Sequence, residues 1–253
     1  MLLAIDCGNT QTVIGLFNDR QLADHWRIAT VAERTSDELA LMFHQFLEFH
    51  GTPDAKVTGM VIGSGVPRVT ASLREMSERY FKLPPVVLEA GVRTGMPILY
   101  DEPRNVGADR IANAIGAYDL FGGPTIVVDF GTANTVDAIS AKGEYLGGAI
   151  FPGVEISLDA LFARAAMLRR VELVAPKNVI GKSTIEAIQS GAVYGYSGQI
   201  DAIVDRFVEE LGQCTVVATG GLAEVIVPHT RTVQHYEPWL TLQGLRIVYE
   251  RNI

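Results

Sequence analysis

The sequence predicts an α/β protein built from two duplicated halves, and three observations carry that expectation. Asp6-Cys7-Gly8-Asn9-Thr10 returns in altered form as Asp129-Phe130-Gly131-Thr132-Ala133. Each copy follows a short, nearly all-apolar run, Leu2 to Ile5 and Thr125 to Val128, which reads as a buried strand ending in a tight polar turn. The offset that carries Asp6 to Asp129 also carries Thr12 to Thr135 and Val13 to Val136. At 253 residues and 48% hydrophobic content, the chain is long enough for two domains of roughly 100–150 residues each.

In the first half, Thr12 to Phe17 and Gln21 to Ile28 continue as strands around an Asn-Asp turn, giving three antiparallel strands. Thr35-Ser36-Asp37-Glu38 opens an amphipathic helix to about Phe49, with Leu39, Phe43, Phe46 and Leu47 on its apolar face. A strand from Val57 to Ile62, a helix from Val69 to Phe81 and a short strand from Val86 to Leu88 complete an α/β half. Asn105 to Leu120 reads as a helix bridging the halves, with a cleft on its flank. The second half restarts with strands at Thr125 to Val128, Asn134 to Ser140 and Glu144 to Ile150. Helical patterns at about Val154 to Arg169 and Thr184 to Leu211 follow, then an apolar strand from Thr215 to Ala218. Thr219-Gly220-Gly221 ends that strand ahead of another helix. The expected domains are residues 1–118 and 119–253.

The repeated turn carries the chemistry. A glycine-containing turn lets backbone N–H groups approach an anion closely, because no Cβ stands in the way, and Asn9, Thr10 and Thr132 add donors. An Asp in the same turn repels phosphate unless a cation lies between them. Two such turns facing one another would clamp a nucleotide polyphosphate and its metal. Ordinary Asp-Gly hairpins explain one copy as well; two copies in register favour the clamp.

Composition narrows the classes. No apolar stretch approaches the ~20 residues that span a bilayer, and the N-terminal run lacks a signal peptide's basic flank and length, so a cytoplasmic protein is expected. A formal charge of −8 without a Lys/Arg run disfavours nucleic acid. Cys7 and Cys214 have no metal-site spacing, and the five histidines form no H-E-x-x-H. No Ser sits in G-x-S-x-G. Trp26, Trp239, Phe43, Phe46 and Phe49 read as core packing.

Gly181-Lys182-Ser183 invites a Walker A reading, but Pro176 stands where that loop requires its first Gly. A capping box, with Ser183 as N-cap and Glu186 at the third helical position, accounts for it better and leaves Thr184 free to point elsewhere. From Tyr100 to Arg110, acidic, basic and aromatic groups flank two small residues. Gly107 and Ala108 let a ligand lie against a helix start, Asp109 is placed to accept a proton, and Arg110 to hold a carboxylate. Spacing alone leaves a plainer reading ahead, in which Asp109 favours a helix N-terminus and Arg110 is a surface charge.

Taken in order, these motifs identify a resemblance. Asp6-Cys7-Gly8-Asn9-Thr10 with Gly15-Leu16, Tyr100…Pro103…Gly107-Ala108-Asp109-Arg110, and Asp129-Phe130-Gly131-Thr132-Ala133 resemble the type III pantothenate kinases, of the acetate and sugar kinase/Hsp70/actin superfamily. Phe151-Pro152-Gly153, Gly181-Lys182-Ser183-Thr184, Gln189-Ser190-Gly191 and Thr219-Gly220-Gly221 extend the likeness nearly end to end. The resemblance implies two ribonuclease H-like domains (the actin-like ATPase fold) and ATP-dependent phosphorylation of pantothenate on its terminal hydroxyl, the first step of coenzyme A synthesis. It implies Asp109 as catalytic base, and Asp6, Cys7, Gly8, Asn9, Thr10, Gln11, Thr12 and Val13 around the ATP phosphates, with Thr132 adding a contact. Tyr100, Gly107, Ala108, Asp109, Arg110 and Thr184 would hold pantothenate. Magnesium would bridge the phosphates through water to Asp6, and Asp129 would help bind potassium or ammonium. A homodimer would bring Thr184 of one subunit towards the other's site.

The chain departs from the family's usual pattern at Gly63-Ser64-Gly65-Val66-Pro67 and at Ser183. Two rivals share the twin hairpins: a nucleotide-driven module of the actin or Hsp70 type, and a kinase-fold regulator with little or no activity. The module would not need Tyr100 and Asp109 beside an acceptor pocket, whereas the regulator would keep the motifs after losing activity.

Overall fold

A computed structural model describes residues 1–165 and 168–253, and it places each repeated turn at the end of the central strand of its own five-stranded sheet. The first sheet comprises β1 (Leu2–Cys7), β2 (Gln11–Asn18), β3 (Gln21–Ala29), β4 (Gly59–Ser64) and β5 (Val86–Val87), in the order β3-β2-β1-β4-β5. Between and after these strands come α1 (Ser36–Phe49), α2 (Pro67–Met76) and α3 (Ala108–Phe121). The second sheet comprises β6 (Thr125–Phe130), β7 (Ala133–Ile139), β8 (Tyr145–Pro152), β9 (Thr215–Thr219) and β10 (His235–Tyr236), ordered β10-β9-β6-β7-β8. Its helices are α4 (Val154–Arg164), α5 (Thr184–Leu211) and α6 (Ala223–Ile226), and α7 (Leu240–Glu250) ends the chain. Each central strand is antiparallel to the strand that follows it and parallel to the one beyond the first helices. The two sheets therefore have one topology, as the duplicated turns predict.

Strand alternation sorts the residues of β1. Leu3, Ile5 and Cys7 join Leu39, Phe43 and Leu47 of α1 and Val69 and Leu73 of α2 in one apolar core. The other face, which carries Asp6, is packed by α7 against β1, β4 and β2. Glycines make that approach possible. A Cβ on Gly15 would lie 2.8 Å from Leu242 Cδ1, and one on Gly63 2.9 Å from Leu245 Cδ2. In the second sheet Ile126, Val128 and Phe130 pack with Val193, Ile200 and Val204 of α5.

Contacts divide the chain into Met1–Gly116 with Leu240–Ile253, and Ala117–Trp239. The expected 1–118 and 119–253 division therefore misses α7, whose apolar face, Leu242, Leu245 and Val248, is buried in the first unit. The helix expected from Asn105 begins at Ala108, because Pro103–Asn105 form a 3-10 turn and Val106 is extended. The helix expected to Arg169 ends at Arg164, with residues 166 and 167 outside the described residues. Phe49 is 79% exposed and is not core, whereas Trp26 stacks on Phe46 at 5.4 Å. Among the described residues, no helix is long and apolar enough to cross a membrane.

Thr35 starts α1 through a reciprocal cap. Its hydroxyl accepts from the Glu38 N–H at 3.2 Å, and the Glu38 carboxylate accepts from the Thr35 N–H at 2.8 Å. The Thr35 backbone N–H, and then its hydroxyl, hold the Glu38 carboxyl below its ordinary value. A carboxyl depressed in the folded state contributes stability above its unfolded pKa and loses it as pH falls through the folded one. Thr35→Ala is expected to lower stability by about 1 kcal/mol, and Glu38→Gln to flatten the acid limb of the stability–pH curve. Thermal midpoints measured from neutral pH down through the carboxylate range check both; an unchanged acid limb in Glu38→Gln contradicts this account.

Candidate active site

The first turn is closed by the Gly8 N–H donating to the Gln11 carbonyl at 3.0 Å, with Asn9, Thr10 and Gln11 exposed. Asp6 is half-buried in a strand otherwise buried throughout and sits opposite Val13 on one side and Gly63 on the other. Cys7 and Thr12 are 1% and 2% exposed, and the Thr12 hydroxyl reaches the Cys7 sulfur at 3.5 Å and the Thr30 hydroxyl at 2.8 Å. Both side chains are buried, so only their backbone would be open to a ligand. The Gly65 N–H donates to the Cys7 carbonyl at 3.2 Å and the Thr30 N–H to the Thr10 carbonyl at 3.0 Å, fixing the turn from both sides. The Ser64 hydroxyl accepts from the Val66 N–H at 3.0 Å, which closes a turn at the Gly63-Ser64-Gly65 departure.

In the same unit, the later start of α3 puts Asp109 in its first turn, where a negative charge faces the positive end of the helix dipole. Asp109 is exposed, and its Oδ1 accepts from the Arg110 N–H at 2.9 Å. Arg110 is only 6% exposed, which rules out the surface-charge reading of that residue. A guanidinium removed from water is retained only with partners. Tyr100 is 37% exposed, in the irregular segment before the 3-10 turn, and Gly107 and Ala108 are half-buried.

In the second unit Asp129 repeats the position of Asp6. It is half-buried near the end of β6, opposite Thr135 and Thr219, and Gly131 and Thr132 in the following turn are exposed. Gly220, at φ +96°, crosses the end of β6, and a Cβ there would lie 2.6 Å from Asp129 Oδ1. The Gly153 N–H donates to the Thr132 carbonyl at 3.1 Å, seating the Phe151-Pro152-Gly153 corner on the turn. Thr184 is exposed as the first residue of α5. The Ser183 hydroxyl accepts from the Glu186 N–H at 3.2 Å, as a cap requires, while Glu186 reaches the Lys182 N–H at 2.8 Å, one residue before the expected partner.

Sequence reasoning missed two features here. Asp137 is fully buried on the sheet face of Asp129, and it accepts from the Tyr145 hydroxyl at 2.7 Å and the Thr135 hydroxyl at 3.1 Å. A charged residue in mid-strand between Val136 and Ala138 was the available signal. The second feature is the segment from Glu172 to Val179. Gln189, Ser190 and Tyr194 of α5 donate to the carbonyls of Glu172, Val179 and Pro176 and hold the strap against the helix. That accounts for the Gln189-Ser190 motif.

Among the described residues, no group of three His, Cys, Asp or Glu could hold a metal ion by itself. The half-buried Asp6 carboxylate at its turn would suit magnesium, which keeps several waters and binds through one or two carboxylates plus substrate phosphates. Burial pushes the Cys214 thiol up, away from nucleophile chemistry.

The sequence model of the type III pantothenate kinase family matches residues 2–206. The type III pantothenate kinase of Streptomyces avermitilis is 52% identical over 262 residues, covering 100% of this chain and 99% of that one. The chain belongs to the type III pantothenate kinase family. Solved structures at lower identity agree on the fold. Component A of the (R)-2-hydroxyglutaryl-CoA dehydratase of Acidaminococcus fermentans is 14% identical with TM-score 0.58, covering 98% of this chain and 95% of that one. The ROK hexokinase of Thermus thermophilus is 13% identical with TM-score 0.52, covering 98% and 97%. The family thus has the actin-like ATPase and sugar kinase fold in this chain, with two duplicated domains.

Proposed function

We propose that this chain phosphorylates pantothenate with ATP at the start of coenzyme A synthesis. Family membership over the full length is the observation that carries the reading, and the site geometry is compatible with it. The terminal hydroxyl oxygen of pantothenate attacks the γ-phosphorus of ATP. The bond from that phosphorus to the β–γ bridging oxygen breaks, ADP leaves, and the hydroxyl proton passes to the Asp109 carboxylate. The exposed turn from Gly8 to Gln11 supplies amides and small polar side chains for the phosphates, and Thr132 adds a contact. Tyr100, Gly107 to Arg110 and Thr184 are assigned to pantothenate. Magnesium, when bound with ATP, neutralises phosphate charge, and Asp6 would hold it through water. Asp129 would hold a monovalent cation. The cytoplasm is the proposed compartment.

A homodimer with a shared site completes the proposal. Ile150, Ile156, Val179, Ile180 and Ile185 are 60%, 42%, 63%, 82% and 56% exposed, all in the second unit on β8, α4, the strap and the start of α5. Exposed large aliphatics of this kind are compatible with a protein partner, and one of them, Ile185, directly follows Thr184.

ADP release should depend on pantothenate, and Asp109→Asn should lower that turnover by about two to four powers of ten while keeping the thermal midpoint. Basal ATPase alone would indicate a nucleotide-driven module, and no turnover a regulator. Near wild-type turnover in Asp109→Asn removes the base assignment.

Activity should need both a divalent and a monovalent cation. Assays in sodium or Tris buffer, with potassium or ammonium then added, are expected to show activation that Asp129→Ala abolishes with little change in thermal midpoint. Equal rates in all four conditions would count against Asp129.

Mixing Asp109→Asn protein with a Thr184→Trp variant, each inactive alone, should restore part of the activity through heterodimers with one intact site. Parents that stay inactive after verified subunit exchange would show that each site is built from one chain.

A further inference from the structure

Gly107 provides the N-cap carbonyl of α3, accepting from the Ile111 N–H at 3.1 Å. At that position Ser, Asn and Asp are the better caps, because a side-chain oxygen satisfies an orphan N–H of the first turn. Glycine is not there for its backbone freedom either, since its φ lies outside the left-handed region. What surrounds it supplies the reason. A Cβ on Gly107 would collide with Asp109 Oδ1; the next nearest atoms are Asp109 Cγ at 3.5 Å and Arg110 Cδ at 3.9 Å, and no backbone atom is among these neighbours. The Asp109 carboxylate thus folds back over the Cα of Gly107, where its Oδ1 takes the Arg110 N–H at 2.9 Å.

We infer that Gly107 is a positioning residue: its missing side chain leaves the space in which the Asp109 carboxylate is held for proton acceptance. This rests on the reading of Asp109 as base. It adds to the assignment of Gly107 to pantothenate, which would be met through the glycine backbone, because the space a side chain would take is filled by the chain's own carboxylate. Any side chain at 107 displaces that carboxylate at little cost, since it ends a flexible side chain. The expected consequence is a displaced base in an otherwise unchanged fold.

Gly107→Ser is the informative variant, because serine caps at least as well as glycine and separates positioning from folding. It should keep or raise the thermal midpoint, leave KM for pantothenate within a few-fold, and lower kcat by roughly a hundredfold, the scale of a 1 Å misplacement. Gly107→Ala should lower kcat similarly. Combined with Asp109→Asn, either change should cost almost nothing further, because the group it displaces no longer acts as a base. Wild-type kcat in Gly107→Ser, a rise in KM at constant kcat, multiplicative losses in the double variant, or a lowered midpoint in both Gly107 variants would each overturn the inference. Full activity in Asp109→Asn would overturn the base reading itself, and is distinguishable because it needs no change at Gly107.

Discussion

The constraint on which the site depends is a carboxylate at the next-to-last position of a central, otherwise buried strand. Asp6 and Asp129 are the fifth of six residues in β1 and β6, and each is the one half-buried residue in the strand's interior. A central strand has its backbone N–H and C=O groups consumed on both sides, so the side chain alone is left to present chemistry. The antiparallel neighbour must turn directly beyond it, and the parallel neighbour must end level with it. Asp6 pairs with Gly63 and Asp129 with Thr219, so the loops starting at Gly65 and Gly220 arrive at the carboxylate end of each sheet. Ligands of open α/β sheets gather beyond the carboxyl ends of parallel strands for this reason.

Much of this was legible because it is local. The strand, the polar turn and the next strand are specified by neighbouring residues, and Thr35 and Ser183 mark their helix starts with side chains that cap them. What escaped was set by tertiary packing. Nothing between Leu240 and Glu250 announces that α7 returns to the first unit; that follows from Gly15, Gly59 and Gly63 on distant strands, which leave a floor low enough for Leu242, Leu245 and Tyr249. The strap from Glu172 to Val179 lacks a periodic pattern of its own because its carbonyls are satisfied by side chains of α5. Asp137 was passed over because a charge in a buried strand makes sense only once the Tyr145 hydroxyl is seen to meet it.

The hairpins and their sheets do not choose the chemistry. A dehydratase component and a hexokinase have the same fold at low identity, and a fold that hosts several functions assigns none. In the proposed function the choice falls to residues outside the repeat. Tyr100 and the Gly107 to Arg110 run have no counterpart in the second half, and the run sits at the start of a helix that begins three residues later than periodicity implied. That delay places Asp109 in the first turn, with its Oδ1 on the Arg110 N–H.

Asp109, Asp129 and Asp137 each have a glycine beside the carboxylate, but not for one reason. A Cβ on Gly107 collides with the Asp109 carboxylate, whereas at Gly220 and Gly148 backbone atoms of Phe130 and Val136 lie as close as the Asp129 and Asp137 carboxylates or closer. Glycine costs chain entropy on folding, and at 107 it gives up a better helix cap. Stability alone favours a side chain at such a place. Room beside a carboxylate that must hold one orientation favours none, and at Gly107 the second demand has prevailed over the first.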